Sequence, residues 1–502
     1  MSIWFYVNFF IDKITTCIII KYIFKNLHIL KKAVFLAKNI LKKAVFFKKI
    51  KKGWFCMIFK RKAYAQLKDW KEKYNGKYAA LLEGPRRVGK STIAEEFAKS
   101  EYKTYIKVDF SNATKEVLDV CSSISNLDLF FLRLTALYNT KLYERESVIL
   151  FDEIQLQPKV RQAIKFLVKD GRYDYIETGS LLSIKKNISG IVIPSEEHKI
   201  RVYPMDYEEF LSATGSNNYG LLRELYKKKL PIGQSVNRFL MRDYRIYMAV
   251  GGMPQAVEAY IEKANFMEID DTKRKIISLY KDDFYRIDPS GRISKLFESI
   301  PSQLMKGGNR FILASALNKD TTNKDKELFY SLISSCTVLP CYNCFDPSLA
   351  LSQSIDFNKF KLYLADIGLF VTMILKTHSY TESSIYSKLL SDTLPSNLGF
   401  LYENAIAIAI NQSGHELYYM TWKKENSTHN YEIDFLFRKG NKIVPIEVKS
   451  SRIDSHLSID EFKRKYSSYV TSPTIFSQKD YSHSSDITAY PFYLSSFVFE
   501  NE

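Results

Sequence analysis

The segment that most constrains this chain is Tyr78–Thr92, YAALLEGPRRVGKST. Ala79–Leu82 is a short apolar run that predicts a buried strand, and Thr92–Lys99 reads as a helix. Between them stand Gly84, Pro85, Arg86, Arg87, Val88, Gly89, Lys90 and Ser91, a G-x-x-x-x-G-K-S loop. Strand, loop and helix in that order form a cradle for phosphate. Gly84 and Gly89 let successive N–H groups turn inward, and the helix N-terminus adds partial positive charge. Lys90 is placed to reach the β- and γ-phosphates, and Ser91 to offer its hydroxyl to Mg2+. Arg86 and Arg87 bring extra positive charge into the loop, and Thr92 opens the helix. Residues Gly84 to Thr92 are therefore the candidate nucleotide-binding set.

A second element belongs with the first. Ser147–Gln155 reads SVILFDEIQ, and its apolar part, Val148–Phe151, suits a central parallel strand buried on both faces. It ends in Asp152, placed to hold Mg2+ through water, and Glu153, placed to polarise an attacking water. Tyr105–Phe110 and Tyr173–Glu177 are further strand-like runs. The latter ends in Thr178-Gly179-Ser180, where the Ser180 hydroxyl is a candidate γ-phosphate sensor and a solvent-exposed turn is an equal reading. Four strands with helices between them predict an α/β parallel sheet with ligand at the strand carboxyl ends. No Asn-Lys-x-Asp guanine-reading tetrad is present, because Asn318-Lys319-Asp320 and Asn323-Lys324-Asp325 have the wrong spacing. ATP is the default nucleotide.

Composition then excludes several classes. The chain has 502 residues, 46% hydrophobic and 25% charged, as in a soluble globular protein of several domains. Six cysteines cannot supply a disulfide framework. Cys341-Tyr342-Asn343-Cys344, with Cys336 nearby, has the spacing of half a zinc site and no second pair, so free thiols are expected.

The net charge of +18 is unevenly spread. Residues 1–56 carry twelve lysines, no arginine and one acid, Asp12, which leaves +7 for residues 57–502. The charge-free runs Met1–Ile11 and Ile14–Ile20 fall short of the roughly 20 residues needed to cross a bilayer, so no integral membrane span is expected. Two copies of LKKAVF among the lysines allow a basic helix on a membrane surface, which would make the chain a membrane-associated ATPase. The favoured reading is that residues 1–56 are translated upstream sequence and that the native protein starts at Met57 in the cytoplasm.

Taken in order, GPRRVGKST, LFDEIQ, ETGSLLS, KIRVYPMDYEEFL (Lys199–Leu211) and GGMPQAV (Gly251–Val257) resemble the prokaryotic AAA-type P-loop ATPases that carry a C-terminal domain of unknown function with a restriction-endonuclease-like core. The resemblance covers Met57 to the C-terminus. It implies an ATPase domain over 57–215, a helical lid over 216–295, a winged-helix-like connector over 296–395 and a nuclease-like domain over 396–502. It also implies Arg201 as a γ-phosphate contact, against a surface ion pair as the plainer reading. Gly251-Gly252 marks a break or hinge. No arginine-rich recognition helix marks the connector as a DNA reader.

Residues 396–502 hold a second set of acids. Phe400–Ile410 is an apolar helix bearing Glu403. The strand-like runs Glu416–Trp422, Glu432–Phe437 and Lys442–Lys449 follow, then a helix over Leu457–Tyr466. That order resembles the PD-(D/E)xK nuclease core, with Asp434, then Glu447-x-Lys449, and Glu403 from the preceding helix. Asp434 and Glu447 are hard oxygen ligands for a second Mg2+ or Mn2+, Lys449 would position the water, and Glu403 would complete the metal shell or hold Lys449. The plainer alternative is a half-exposed sheet on which acids such as Glu432 and Asp434 alternate outward. The expectation is an ATP-dependent switch or motor acting on a nuclease-like domain, with DNA or RNA as substrate. Its competitor is a non-nucleolytic switch that binds DNA, a protein partner or a second copy of itself.

Overall fold

Phosphate loop and sheet belong to one α/β layer in the computed structural model. It describes residues 58–74, 76–122, 124–180, 193–263, 265–308, 310–375, 386, 389–391, 399–425, 427–449, 456–484 and 486–500. Contacts divide the chain into Met1–Ile58 and Phe59–Glu502. The expectations for residues 1–56 lie outside the described residues. Among the described residues no helix is long and apolar enough to cross a membrane.

Five parallel strands, β1 (Ala79–Gly84), β2 (Thr104–Asp109), β3 (Ser147–Asp152), β4 (Asp174–Ser180) and β5 (Glu197–Arg201), lie in the order β2-β3-β4-β1-β5. Helix α1 (Lys62–Tyr74) precedes them. Between them run α2 (Lys90–Glu101), α3 (Lys115–Ser122), α4 (Leu127–Tyr138) and α5 (Pro158–Asp170). Every residue of β1 and β3 is buried. Ala80, Leu82, Val148 and Leu150 pack into one core with Ile93 and Phe97, while Ala79, Leu81, Ile149 and Phe151 pack into another with Ile164 and Leu167. Continuous apolar strands with alternate side chains in two cores are what a sheet covered on both faces requires. The expected four strands are present. The fifth, β5, was not expected, and its last three residues open the segment Lys199–Leu211 that the sequence had offered only as a motif. Strand β4 also runs on through Ser180, so Thr178-Gly179-Ser180 is the strand's end and not a turn beyond it.

Helices α6 (Tyr207–Ala213), α7 (Asn218–Lys228), α8 (Gln234–Val250), α9 (Pro254–Lys263) and α10 (Phe266–Ile287) follow. Then come α11 (Arg292–Met305), α12 (Leu313–Leu317) and α13 (Asn323–Ser334), and the antiparallel strands β6 (Val338–Cys344) and β7 (Ile355–Leu364), ahead of α14 (Ile367–Ile374). Strand β6 carries Cys341 and Cys344 three residues apart, so they point to opposite faces and enter different cores. Both are free thiols.

The C-terminal part has α15 (Gly399–Gln412), β8 (Leu417–Lys423), β9 (Asn430–Ile433), β10 (Phe435–Lys439), β11 (Lys442–Lys449), α16 (Leu457–Lys465), β12 (Thr474–Ser477), β13 (Ser482–Ser484), β14 (Ile487–Pro491) and α17 (Ser495–Phe499). Two sheets result, ordered β7-β6-β8-β9 and β10-β11-β12-β14-β13. The single strand expected over Glu432–Phe437 is broken at Asp434. Thr421 pairs with Glu432 in one sheet and Phe435 with Ile446 in the other. Asp434 stands at the corner, where its Oδ2 accepts the Val448 N–H at 2.8 Å. A side-chain acceptor there satisfies a main-chain donor that the interrupted ladder would otherwise leave unpaired.

Candidate functional site

The loop expected to cradle phosphate joins β1 to α2. A Cβ on Gly84 would lie 2.2 Å from the Val202 carbonyl oxygen, so only glycine lets β1 leave the sheet beside the chain that follows β5. Gly89 caps α2 in the left-handed region, at φ 93°. Lys90 is buried and folded onto its own loop, with Nζ donating to the carbonyls of Gly84 at 3.1 Å and Pro85 at 2.8 Å. Burial pushes its ammonium down to about 8, against the opposing pull of Glu153 and Asp152. Thr92 is exposed in the first turn of α2.

At the end of β3, Asp152 is buried and Oδ1 accepts from Ser91 Oγ at 2.6 Å. The same oxygen accepts from Thr178 Oγ1 on β4, and the Glu153 N–H donates to Thr178 Oγ1 at 3.3 Å. Lys107 on β2 lies 3.4 Å from Asp152 Oδ2. Glu153 holds φ 57°, a conformation that side chains other than glycine rarely adopt, and its carboxylate accepts from Gln155 Nε2. Arg87 in the loop holds φ 70°. Two such residues at one site mark the place where the fold pays for a specific geometry.

Lys90, Ser91, Asp152 and Glu153 are thus brought together at the strand carboxyl ends. Ser180 pairs in register with Gly84, beside the loop. Arg201 pairs with Glu83 at the end of β5, and its exposed side chain borders a cleft of about 640 Å³ with Lys73, His198 and Glu500. Beside Ser91, the hydroxyl that touches Asp152 is that of Thr178, a residue the sequence reading did not single out.

Arg61 was missed altogether. It is buried, and it donates to Val88 O in the loop at 2.8 Å, to Tyr203 O at 2.7 Å and to Glu209 Oε1 at 3.1 Å. Glu209 is also the N3 residue of a capping box with Asp206. That gives the Asp-Tyr-Glu-Glu-Phe segment a physical role, since it caps α6 and anchors the loop's guanidinium clamp. From the other side, Arg86 Nη1 lies 2.8 Å from Asp283 Oδ1, and Tyr280 Oη donates to the Arg86 carbonyl at 3.0 Å. Both partners sit on α10.

Three of the C-terminal acids pair with two lysines, and Asp434 with neither. Lys449 Nζ lies 2.7 Å from Glu447 Oε2. Glu403, expected to hold a metal or Lys449, instead lies 2.8 Å from Nζ of Lys361, a residue of β7. Glu432, which the alternation placed outward, lies 2.5 Å from the same ammonium. Tyr363 Oη also donates to Glu403. Burial pushes the Asp434 carboxyl up to about 8, with the charges of Glu403 and Glu432 adding to it and Lys361 opposing. Burial alone would lower the Lys361 ammonium, but Glu403, Glu432 and Asp434 hold it far above the ordinary lysine range. Among the described residues no group of three or more His, Cys, Asp or Glu side chains could hold a metal ion.

Comparison with known proteins adds three domain matches. Residues 76–211 match the family model described as an AAA domain, while residues 241–380 and 398–493 each match a domain of unknown function. No curated protein matches the chain. Among solved structures, the RuvB Holliday junction branch migration motor of Thermotoga maritima is 15% identical over 56% of this chain and 89% of its own, with a TM-score of 0.26. A mutant of the same protein is 14% identical over the same shares, with a TM-score of 0.27. At such scores the likeness carries no function to this chain. The domain match agrees with the loop, the Asp152 pair and the five-stranded parallel sheet, and residues 76–211 are similar to an AAA domain.

Proposed function

We propose that the chain is an ATP-hydrolysing switch whose nucleotide state is passed to the region beyond residue 215. The observation that carries the first half is the Ser91–Asp152–Thr178 hydrogen-bonded group at the mouth of a glycine-edged loop. ATP and Mg2+ are what an AAA-type domain takes, and the loop suits them. Gly84 leaves no room for a side chain, and Lys90 donates to the neutral carbonyls of Gly84 and Pro85. When bound, Mg2+ would neutralise phosphate charge and order the terminal phosphate. In this reading Lys90 leaves the Gly84 and Pro85 carbonyls for the β/γ-phosphates, and Ser91 and Asp152 hold the metal's shell. Glu153 accepts the proton of the attacking water, with Gln155 fixing its carboxylate. Ser180 and Arg201 are the candidate γ-phosphate contacts, on the strands flanking β1.

The test is ATP turnover and binding by paired variants. Lys90→Ala should weaken ATP binding on the order of a hundredfold, as expected for losing a charge-assisted contact. Glu153→Gln should keep binding and slow hydrolysis by about 10²–10⁴-fold. Wild-type affinity in Lys90→Ala would refute the loop assignment.

For the output, two readings differ. A nuclease-like C-terminal domain would cleave nucleic acid with a second Mg2+ or Mn2+ held by Asp434 and Glu447. A binding output would need no metal and would engage DNA, RNA or a protein partner. The Lys361 ammonium among Glu403 and Glu432 favours binding. The wing expected of the connector also has one edge engaged, because β6 lies between β7 and β8.

A further inference from the structure

Two acids of the C-terminal part, Glu403 and Glu432, flank a cation that the chain itself supplies, and the charge of Asp434 acts on it from further off. Lys361 has a side chain only 6% exposed, with its ammonium 2.8 Å from Glu403 Oε1 and 2.5 Å from Glu432 Oε1. It lies over the ring of Tyr419, 5.3 Å from the centroid. A cation between two carboxylates and an aromatic face is fully compensated.

Its backbone is equally fixed. Lys361 pairs with Cys341 inside a ladder that runs from Val338↔Leu364 to Tyr342↔Phe360. Strand β6 then continues through β8 to β9, which carries Glu432. Cation and acid therefore belong to one sheet, and α15 lays Glu403 on it. A hard divalent ion would have to come within about 2.0–2.6 Å of these same carboxylate oxygens. That position is taken by the ammonium protons, and two cations this close repel each other.

We propose that Lys361 is the resident cation of this cluster, standing where a divalent metal would have to sit, so that Glu403 and Glu432 fasten α15 and β9 to β7 and take up neither Mg2+ nor Mn2+. Glu403 is thus taken out of the metal shell implied by the nuclease-like resemblance, while Asp434, bonded to the Val448 N–H, and Glu447, paired with Lys449, stand apart from these two ion pairs. The inference deepens the binding reading of the output, and it is independent of the ATPase reading.

The experiment is a Mn2+ titration of the full, nucleotide-free chain, followed by electron paramagnetic resonance of the free ion, beside Glu403→Gln and Glu432→Gln. Omitting nucleotide keeps the outcome separate from any failure of the ATP site. Wild type should bind no Mn2+ that either substitution removes. Uptake unchanged by both substitutions lies elsewhere and supports the proposal. Uptake abolished by either one overturns it. Lys361→Met is the second arm, because it strands the two acids. It should lower the melting temperature, and Mn2+ should then raise it. A variant that melts like wild type would overturn the proposal independently. If Lys361→Met is insoluble, adding Glu403→Gln and Glu432→Gln to the same chain should restore soluble protein. Failure to do so would show that these acids are not the partners of Lys361.

Discussion

The main-chain N–H of Gly252 donates to Asp366 Oδ2 at 2.7 Å, across 114 residues of sequence. The Gly252 carbonyl in turn accepts the Met205 N–H at 2.7 Å. Three sequence motifs, Pro204-Met205-Asp206, Gly251-Gly252-Met253 and Ala365-Asp366-Ile367-Gly368, therefore meet at one point. That point adjoins the phosphate loop, since Tyr280 bonds the Arg86 carbonyl and its ring hydroxyl lies 3.9 Å from Met253 Sδ. The packing leaves no tolerance. A Cβ on Gly252 would lie 2.0 Å from Met205 O, and one on Gly368 would lie 2.4 Å from Val250 O.

Asp366 also caps α14 by accepting the Leu369 N–H at 2.8 Å. Asp366→Ala should destabilise the chain by about 2–4 kcal/mol, combining a lost cap with a buried N–H left unpaired. Urea unfolding measures this directly. A loss under about 0.5 kcal/mol, the range of an ordinary surface substitution, would show that the junction is not a structural keystone.

Thr178→Val keeps the shape of the side chain and removes the donor to Asp152. ATP hydrolysis should fall by roughly tenfold, the equivalent of about 1.4 kcal/mol. Thr178→Ser should retain most of the rate, and Ser180→Ala should cost less than Thr178→Val, because Thr178 and not Ser180 shares Asp152 Oδ1 with Ser91. Equal rates for wild type and Thr178→Val would remove Thr178 from the site.

What the sequence made legible was local. Gly84, Lys90, Ser91, Asp152 and Glu153 are fixed by spacing within two short segments, and the chemistry of each residue type does the rest. Thr178 was not legible, because Thr178-Gly179-Ser180 offers two hydroxyls and only the register of β4 against β1 and β3 decides between them. Arg61 stands 27 residues from Val88 and 148 from Glu209, so no local pattern announces it. Lys361 was hidden for the same reason, with acids 42 and 71 residues away. The break at Asp434 was invisible because a strand that crosses between two sheets keeps its two-residue alternation in sequence.

Glu177 offers a test of a buried charge. It is fully buried on β4, neither carboxylate oxygen has a hydrogen-bond partner, and the neighbouring Arg161 is engaged bidentately by Glu197 at 2.8 Å and 2.8 Å. Burial, and then the charge of Glu197, push its carboxyl well above the usual range. The folded chain therefore keeps a proton that the unfolded chain loses above about pH 4.3. Stability falls as pH rises from there through the folded value. Glu177→Met should remove that loss and stabilise the chain at pH 7.5 by on the order of 1–3 kcal/mol, with a smaller gain near pH 4.5. An equal gain at both pH values would mean that Glu177 is not titrating.

Lys90 makes the nucleotide site itself pH-sensitive. Its ammonium is buried against neutral carbonyls, and burial sets it at about 8 in the nucleotide-free chain. Phosphate oxygens brought within reach would favour the charged form and raise that value. The bound state then holds a proton more tightly than the free state. Below pH 8 both states are protonated, and binding moves no proton through Lys90. Above it the free lysine is neutral, binding takes up a proton, and affinity falls by up to tenfold per pH unit until the bound value is reached. The nucleotide does not confuse the reading, because a terminal phosphate with a pKa of about 6 is already ionised there. Calorimetry at pH 8.8 in two buffers of different ionisation enthalpy should report net proton uptake on binding ATP, and the same pair at pH 6.8 should report far less. Lys90→Arg keeps a cation that does not titrate, and its affinity should be flat across this window. Equal proton uptake by wild type and Lys90→Arg at pH 8.8 would assign the proton to another group.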